Sequence, residues 1–230
     1  MSLFSIADLH LSLSTDKPMD KFGSRWKSHA EKIEKNWRAI VSPADTVVIP
    51  GDISWGMSLE ESRADLAFIH SLPGKKLIGK GNHDFWWSTA KKMTEVLEEN
   101  HIQTIKTIYN NAHLLEDCIV CGTRGWFYDK NDPAAGDDKI FKRELLRLEA
   151  SLQSAGELPK TVFLHYPPKY KGYECPQILQ LLEKYDVRSC YYGHLHGASH
   201  GLAVEGLWNG VEFRLVSVDR LNFQPYRVLL

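Results

Sequence analysis

Thr46-Val47-Val48-Ile49-Pro50-Gly51-Asp52 decides how the rest of this chain is read. A short, β-branched apolar run suits a strand buried on both faces. It ends on a glycine, which lets the backbone turn sharply or approach a neighbour closely, and then on a carboxylate. A strand that hands over to such polar side chains recurs along the chain. Leu3–Ala7 hands over to Asp8-Leu9-His10, and Lys76–Ile78 leads through Gly79-Lys80 into Gly81-Asn82-His83-Asp84. Thr161–Leu164 delivers His165, and Val187–Tyr192 leads into Gly193-His194-Leu195-His196. A strand fixes the backbone while the loop beyond it lets side chains converge. In open α/β sheets, ligand-binding groups gather beyond the carboxyl ends of the strands.

Helical patterns alternate with these strands. Residues 24–41 place Trp26, Ala30, Ile33, Trp37, Ile40 and Val41 at helical spacing, with Ser24 as N-cap. Residues 58–70, capped by Ser58, and residues 88–100 read as two more helices. Ile102–Ile105, Ile108–Leu115 and Cys118–Gly122 read as successive strands with no helix between them. Residues 137–155 form a charged amphipathic helix whose polar side is a solvated face. Residues 176–185 form another helix. The tail from Val211 onward reads as two strands around a turn at Asn222–Pro225. This pattern predicts the α/β class, with two packed sheets and helices on the outside. No repeat, linker or low-complexity tract interrupts it, so a single domain over 1–230 is expected, without a separate cap domain. The loops 11–25, 122–136 and 197–210 are then left to shape specificity.

Of the 230 residues, 43% are hydrophobic and 25% charged, which is ordinary for a globular protein with a sizeable core. The net charge of −1 argues against a general binder of long nucleic acid, which would be basic, and leaves room for a local basic patch. Cys118 and Cys121 have C-x-x-C spacing, but residues three apart on a strand point to opposite faces. No second such pair completes a zinc knot. The first apolar run is short and carries Asp8 and His10, so no signal peptide is read. No run approaches the ~20 apolar residues of a membrane span. A cytoplasmic protein with no membrane partner is expected, and nothing in the chain specifies an oligomeric state.

The converging groups are Asp8, His10, Asp52, Asn82, His165, His194 and His196: oxygen and imidazole donors without a thiolate. Such a set suits Mn, Fe, Zn or Co ions. Paired ions about 3.5–4 Å apart need a bridging carboxylate and serve phosphoester hydrolysis. In this order, D-x-H, G-D, G-N-H-D, H and G-H-x-H resemble the calcineurin-like metallophosphoesterase family from residue 8 to residue 196. The resemblance implies the fold of that family, two mixed β-sheets packed face to face and flanked by α-helices in a four-layer αββα sandwich. It implies a cofactor of two divalent metal ions, with Mn favoured in vitro. Asp8, His10 and His196 would hold one ion, Asn82, His165 and His194 the other, and Asp52 would bridge them. A hydroxide between the ions would attack the phosphorus in line. His83 would hydrogen-bond the phosphate and protonate the leaving oxygen, while Asp84 would orient His83 and raise its pKa.

Some members carry an Arg shortly after the G-D motif. Here the run is Gly51-Asp52-Ile53-Ser54-Trp55-Gly56, with no Arg before Arg63. That weakens a protein-phosphatase reading. Trp55 and Phe85 follow ligand motifs directly, and Trp126 stands in the long loop. The three are candidates for an aromatic wall that stacks a base or sugar. Arg124, at a strand end, is a candidate phosphate clamp. The expected substrate is a small phosphodiester or nucleotide-type phosphoester. A phosphomonoesterase, protein phosphatases included, is the first alternative. A catalytically silent scaffold of the same fold is the second, disfavoured because His83 and the whole ligand set are present.

Overall fold

The computed structural model describes residues 1–126, 138–156 and 158–229. In one sheet, β1 (Leu3–Ser5), β2 (Thr46–Pro50), β3 (Lys75–Gly79) and β4 (Ile105–Thr107) lie parallel. A short β13 (Tyr226–Arg227) pairs antiparallel with β1, giving the order β13-β1-β2-β3-β4. In the other sheet, β6 (Ile119–Thr123), β7 (Lys160–Leu164), β10 (Val187–Tyr192) and β12 (Val211–Leu215) lie parallel. Antiparallel β5 (Ala112–Leu114) and β11 (Gly206–Trp208) close its edges.

The period of two along each strand sorts the core into layers. On the first sheet Phe4, Val47, Ile49 and Ile78 face one way, and Leu3, Val48 and Leu77 the other. On the second sheet Cys121, Val162, Leu164, Cys190 and Tyr192 face outward, and Val120, Phe163 and Tyr191 inward. The inward sets meet in one inter-sheet core, where the Phe163 and Tyr191 rings stack at 5.3 Å. The outward faces are covered by helices. Ile33 and Trp37 of α1 (His29–Ile40), Leu66 and Ile69 of α2 (Arg63–Ser71), and Met93 and Leu97 of α3 (Ala90–Glu99) cover the first sheet. Leu148 and Leu152 of α4 (Asp138–Gln153) and Ile178 and Leu182 of α5 (Pro176–Lys184) cover the second. The result is the expected order of helices, sheet, sheet, helices. Cys118 joins the inter-sheet layer and Cys121 the outer one, so the C-x-x-C pair is split across the sheet.

Three local expectations are corrected. Ser24 does not cap α1. It opens a short 3-10 turn, Ser24–Trp26, that buries Trp26 against Phe223 before the chain re-enters a helix at His29. Ser58 accepts a bond from the Glu61 amide in a turn that precedes α2, so that helix starts later than its pattern suggested. The first of the three successive strands, read as Ile102–Ile105, is β4 at Ile105–Thr107, which completes the first sheet beside β3, while β5 and β6 form a hairpin in the second. Much of the 122–136 loop lies outside the described residues.

The sheets are stitched together on the side where the parallel strands end. Ala7, just past β1, pairs with Ser217, just past β12. Its amide donates to the Val216 carbonyl at 2.7 Å, and its own carbonyl accepts from Val218 at 2.9 Å.

Candidate metal centre

Each ligand motif stands at the carboxyl end of a parallel strand, on either side of this stitch. The loops that carry them are in close contact. A Cβ added to Gly51, which sits at φ +96°, would lie 2.6 Å from the Gly81 backbone. One added to Gly81 would run into Asp52. Gly193 has no positive φ, yet an added Cβ would lie 2.6 Å from an Asp8 carboxylate oxygen. Close approach explains these glycines better than backbone freedom does. The strain sits instead on the functional residues, since Asp8, His10, Asp52 and His194 hold φ values of 61°, 45°, 51° and 72°. Non-glycine residues in that region are uncommon and concentrate at functional sites.

Two groups of side chains emerge whose ligand atoms fall within 4.8 Å of one another: Asp8, His10 and His196, and Asp52, His165 and His194. His10 Nε2 lies 3.3 Å from His196 Nε2. Asn82 Oδ1 joins the second group, 2.7 Å from His165 Nε2 and 3.0 Å from His194 Nδ1. Asp52 Oδ2 stands between the groups, 3.8 Å from His10 Nε2 and 3.5 Å from His165 Nε2. Both groups draw on both sheets. Asp8, His10, Asp52 and Asn82 follow strands of the first sheet, and His165, His194 and His196 follow strands of the second.

The electrostatics suit cation binding. Burial pushes the pKa of His10, His165 and His194 down, which keeps these imidazoles neutral, the form that ligates a cation. Burial alone would raise the Asp8 carboxyl, but the surrounding imidazoles, His196 foremost, outweigh it and hold it below the usual carboxylate range. Asp52 moves upward, first through burial and then through the Asp8 charge beside it. His196 is the exception among the imidazoles. Burial disfavours its charge, yet Asp8 and Asp219 overcome that and raise it.

Asp219 was not expected from the sequence. It is 2% exposed and accepts from His196 Nδ1 at 2.9 Å and from the Gly197 amide at 3.0 Å. A carboxylate on the far nitrogen fixes the tautomer and ring orientation of a ligating histidine. Its signal was available, because Leu215-Val216-Ser217-Val218-Asp219 is another apolar run that ends on a carboxylate. Trp26 was also missed as a neighbour of the centre; its ring lies 5.7 Å from that of His196 and 6.1 Å from that of His10.

His83 is half-buried over the first group, its ring 5.7 Å from His10 and 4.6 Å from Trp55. The expectation that Asp84 orients this imidazole and raises its pKa is corrected. Asp84 is fully buried, and its oxygens accept from the amides of Asp52 at 2.9 Å, Ile53 at 2.8 Å and Gly81 at 2.7 Å, and from Trp86 Nε1 at 3.0 Å. It ties the two motif loops together through their main chain. The His83 pKa is lowered, by burial first and by His165 second.

The candidate substrate residues divide. Trp55 stacks on His10 at 5.0 Å and 22°, beside the centre. Phe85 is 58% exposed, its ring 6.3 Å from that of His83. Trp126 is corrected: it is buried in the core outside the second sheet, beside Phe141, so it packs the fold. The Arg124 carbonyl accepts from the His165 and Tyr166 amides, while its guanidinium turns toward Glu144, 3.9 Å away.

The profile of the family described as calcineurin-like phosphoesterase matches residues 1–198. The Gene 66 protein of Mycobacterium phage L5 is 33% identical over 78 residues, which are 34% of this chain and 37% of that one, so the match spans little more than a third of the relative. Among solved structures, AQ665 from Aquifex aeolicus, a protein of unknown function, superposes with a TM-score of 0.57 at 17% identity, over 98% of this chain and 95% of that one. TT1561 of Thermus thermophilus gives 0.51 at 11% identity, over 87% and 85%. At these identities the solved structures speak for the fold alone. No described helix is long and apolar enough to cross a membrane.

Proposed function

Because this chain belongs to the calcineurin-like phosphoesterase family, we propose that it hydrolyses a small phosphodiester or nucleotide-type phosphoester with a pair of divalent cations. The observation that carries the reading is the position of Asp52 Oδ2, within 4 Å of a histidine from each ligand group. The donor set fits such ions: the imidazoles of His10, His165, His194 and His196, the Asp8 and Asp52 carboxylates and the Asn82 amide oxygen, with no thiolate among them. Asp8, His10 and His196 would hold one cation, and Asn82, His165 and His194 the other, with Asp52 shared. When bound, the pair supplies Lewis acidity toward phosphoryl oxygens and lowers the pKa of water.

The chain's own residues supply the rest. Asp219 keeps His196 Nε2 turned to the centre. His83 is neutral in the resting protein. An anionic phosphate beside it would raise its pKa and make it a proton donor to the leaving oxygen. Trp55 holds the His10 ring from behind, and with Phe85 it offers aromatic surface next to His83 where a base or sugar can lie.

The test is hydrolysis of bis(p-nitrophenyl) phosphate by metal-stripped protein, with and without Mn²⁺. Mn²⁺-dependent turnover supports the reading. No turnover from protein with confirmed Mn²⁺ binding would reject the diesterase assignment, and p-nitrophenyl phosphate run alongside would register a monoesterase.

A further inference from the structure

Beside the metal centre lies a cavity of about 380 Å³ that no step above uses. Lys80, Arg124, Arg143 and Arg147 line it, with Glu144 as the one carboxylate among its described residues. Glu144 is already engaged. It is 2% exposed, accepts from Thr123 Oγ1 at 2.9 Å and pairs with Arg147, and Arg124 stands 3.9 Å away. Four cations against one carboxylate leave three positive charges in excess, in a chain whose net charge is −1.

Two donors in the wall have no partner among the described residues. Arg124 Nε is buried and unbonded, and so is Nε1 of Trp87, a residue only 8% exposed. Buried donors are almost always satisfied, and an orphan points to a missing acceptor. Ser88 and Thr89 bring the N-terminus of α3 to the same wall, which adds partial positive charge. Guanidinium, ammonium and indole N–H donors around a space of this size suit a tetrahedral oxyanion.

The cavity adjoins the second ligand group. Lys80 is two residues before Asn82, and the Arg124 carbonyl holds the His165 amide at 3.1 Å. The Tyr166 ring lies between, 5.9 Å from the Arg124 guanidinium and 4.7 Å from the His194 ring. We propose that this cavity binds a phosphate group other than the one that is hydrolysed. The anion site stands without the hydrolase reading, whereas its assignment to a second phosphate on the substrate rests on that reading.

The deciding experiment is calorimetric titration of the Mn²⁺-loaded protein with inorganic phosphate, for wild type and for Lys80→Gln/Arg143→Gln. Arg143 is exposed, so the single Arg143→Gln variant serves as a control that keeps the fold. Wild type should bind one more phosphate per chain than the double variant, and the single variant should bind that extra phosphate more weakly. Equal stoichiometry and affinity in all three would overturn the proposal.

A second arm finds the source of the phosphate. It compares kcat/KM for thymidine 5′-(p-nitrophenyl phosphate) and for its 3′-phosphorylated counterpart. A gain of about tenfold for the phosphorylated compound, lost in the double variant, assigns the site to the substrate. A ratio of one, with the extra phosphate still bound, assigns it to a separate phosphate-bearing molecule. Bound phosphate without turnover of either compound would sink the diesterase reading and leave the anion site standing.

Discussion

His83 and Asp84 are neighbours in sequence but serve different parts of the structure. The imidazole overhangs the ligand groups, whereas the carboxylate is enclosed by main-chain amides of two loops. His83→Ala should therefore lower kcat by about 10²–10⁴-fold at unchanged folding stability. Asp52→Asn, which removes the shared carboxylate, should lower turnover about a hundredfold or more. Near-normal rates for both variants would discard the site assignment. Asp84→Ala should act through the fold. Several buried amides lose their acceptor at once, so urea denaturation should show a loss of about 3 kcal/mol or more. The upward shifts of His196 and Asp52 set the sign of a pH effect. Each group holds its proton to higher pH than an ordinary histidine or aspartate, and a cation must displace that proton. Mn²⁺ affinity should rise with pH through neutrality, with protons released on loading; a pH-stat titration that registers no release would contradict this.

At the scale of elements, the strands that carry the candidate ligands were legible because burial on both faces writes itself as an unbroken apolar run. β2 matches its sequence reading residue for residue. Partner choice was not legible. Ile105–Thr107 and Ala112–Leu114 are close in sequence and read alike, yet they join different sheets, because long-range packing decides which edge each strand meets. The β11 strand and the hairpin of β8 (Lys169–Tyr170) and β9 (Tyr173–Glu174) escaped notice for a related reason. They are too short for an alternating pattern to register. The candidate ligand residues could be read from strand ends, whereas the partners of Asp84 could not, since main-chain amides leave no trace in side-chain order. β7 links the two scales, with Phe163 in the inter-sheet core two residues before His165. Phe163→Ala should cost about 3–5 kcal/mol in a denaturant titration and weaken Mn²⁺ binding as well. A full loss of stability with intact metal affinity would mean the centre is insulated from the core.

On the scale of the whole molecule, the two sheets share one apolar layer and meet again at the Ala7–Ser217 stitch, with the candidate centre above it. Metal loading should raise the thermal midpoint. At a hundred times Kd a ligand specific for the folded state adds about 2.7 kcal/mol, and a scan with and without chelator reads the shift. Since each ligand group takes side chains from both sheets, a cation held by either one is a rivet through two plates. Pulling the rivets would let the plates breathe along that edge. In hydrogen exchange, the amides of Ala7 and Val218, which donate across the seam, should lose protection when the metals are removed, while amides in the middle of β2 and β7 keep theirs. A molecule built this way would report its metal content in the stiffness of its seam.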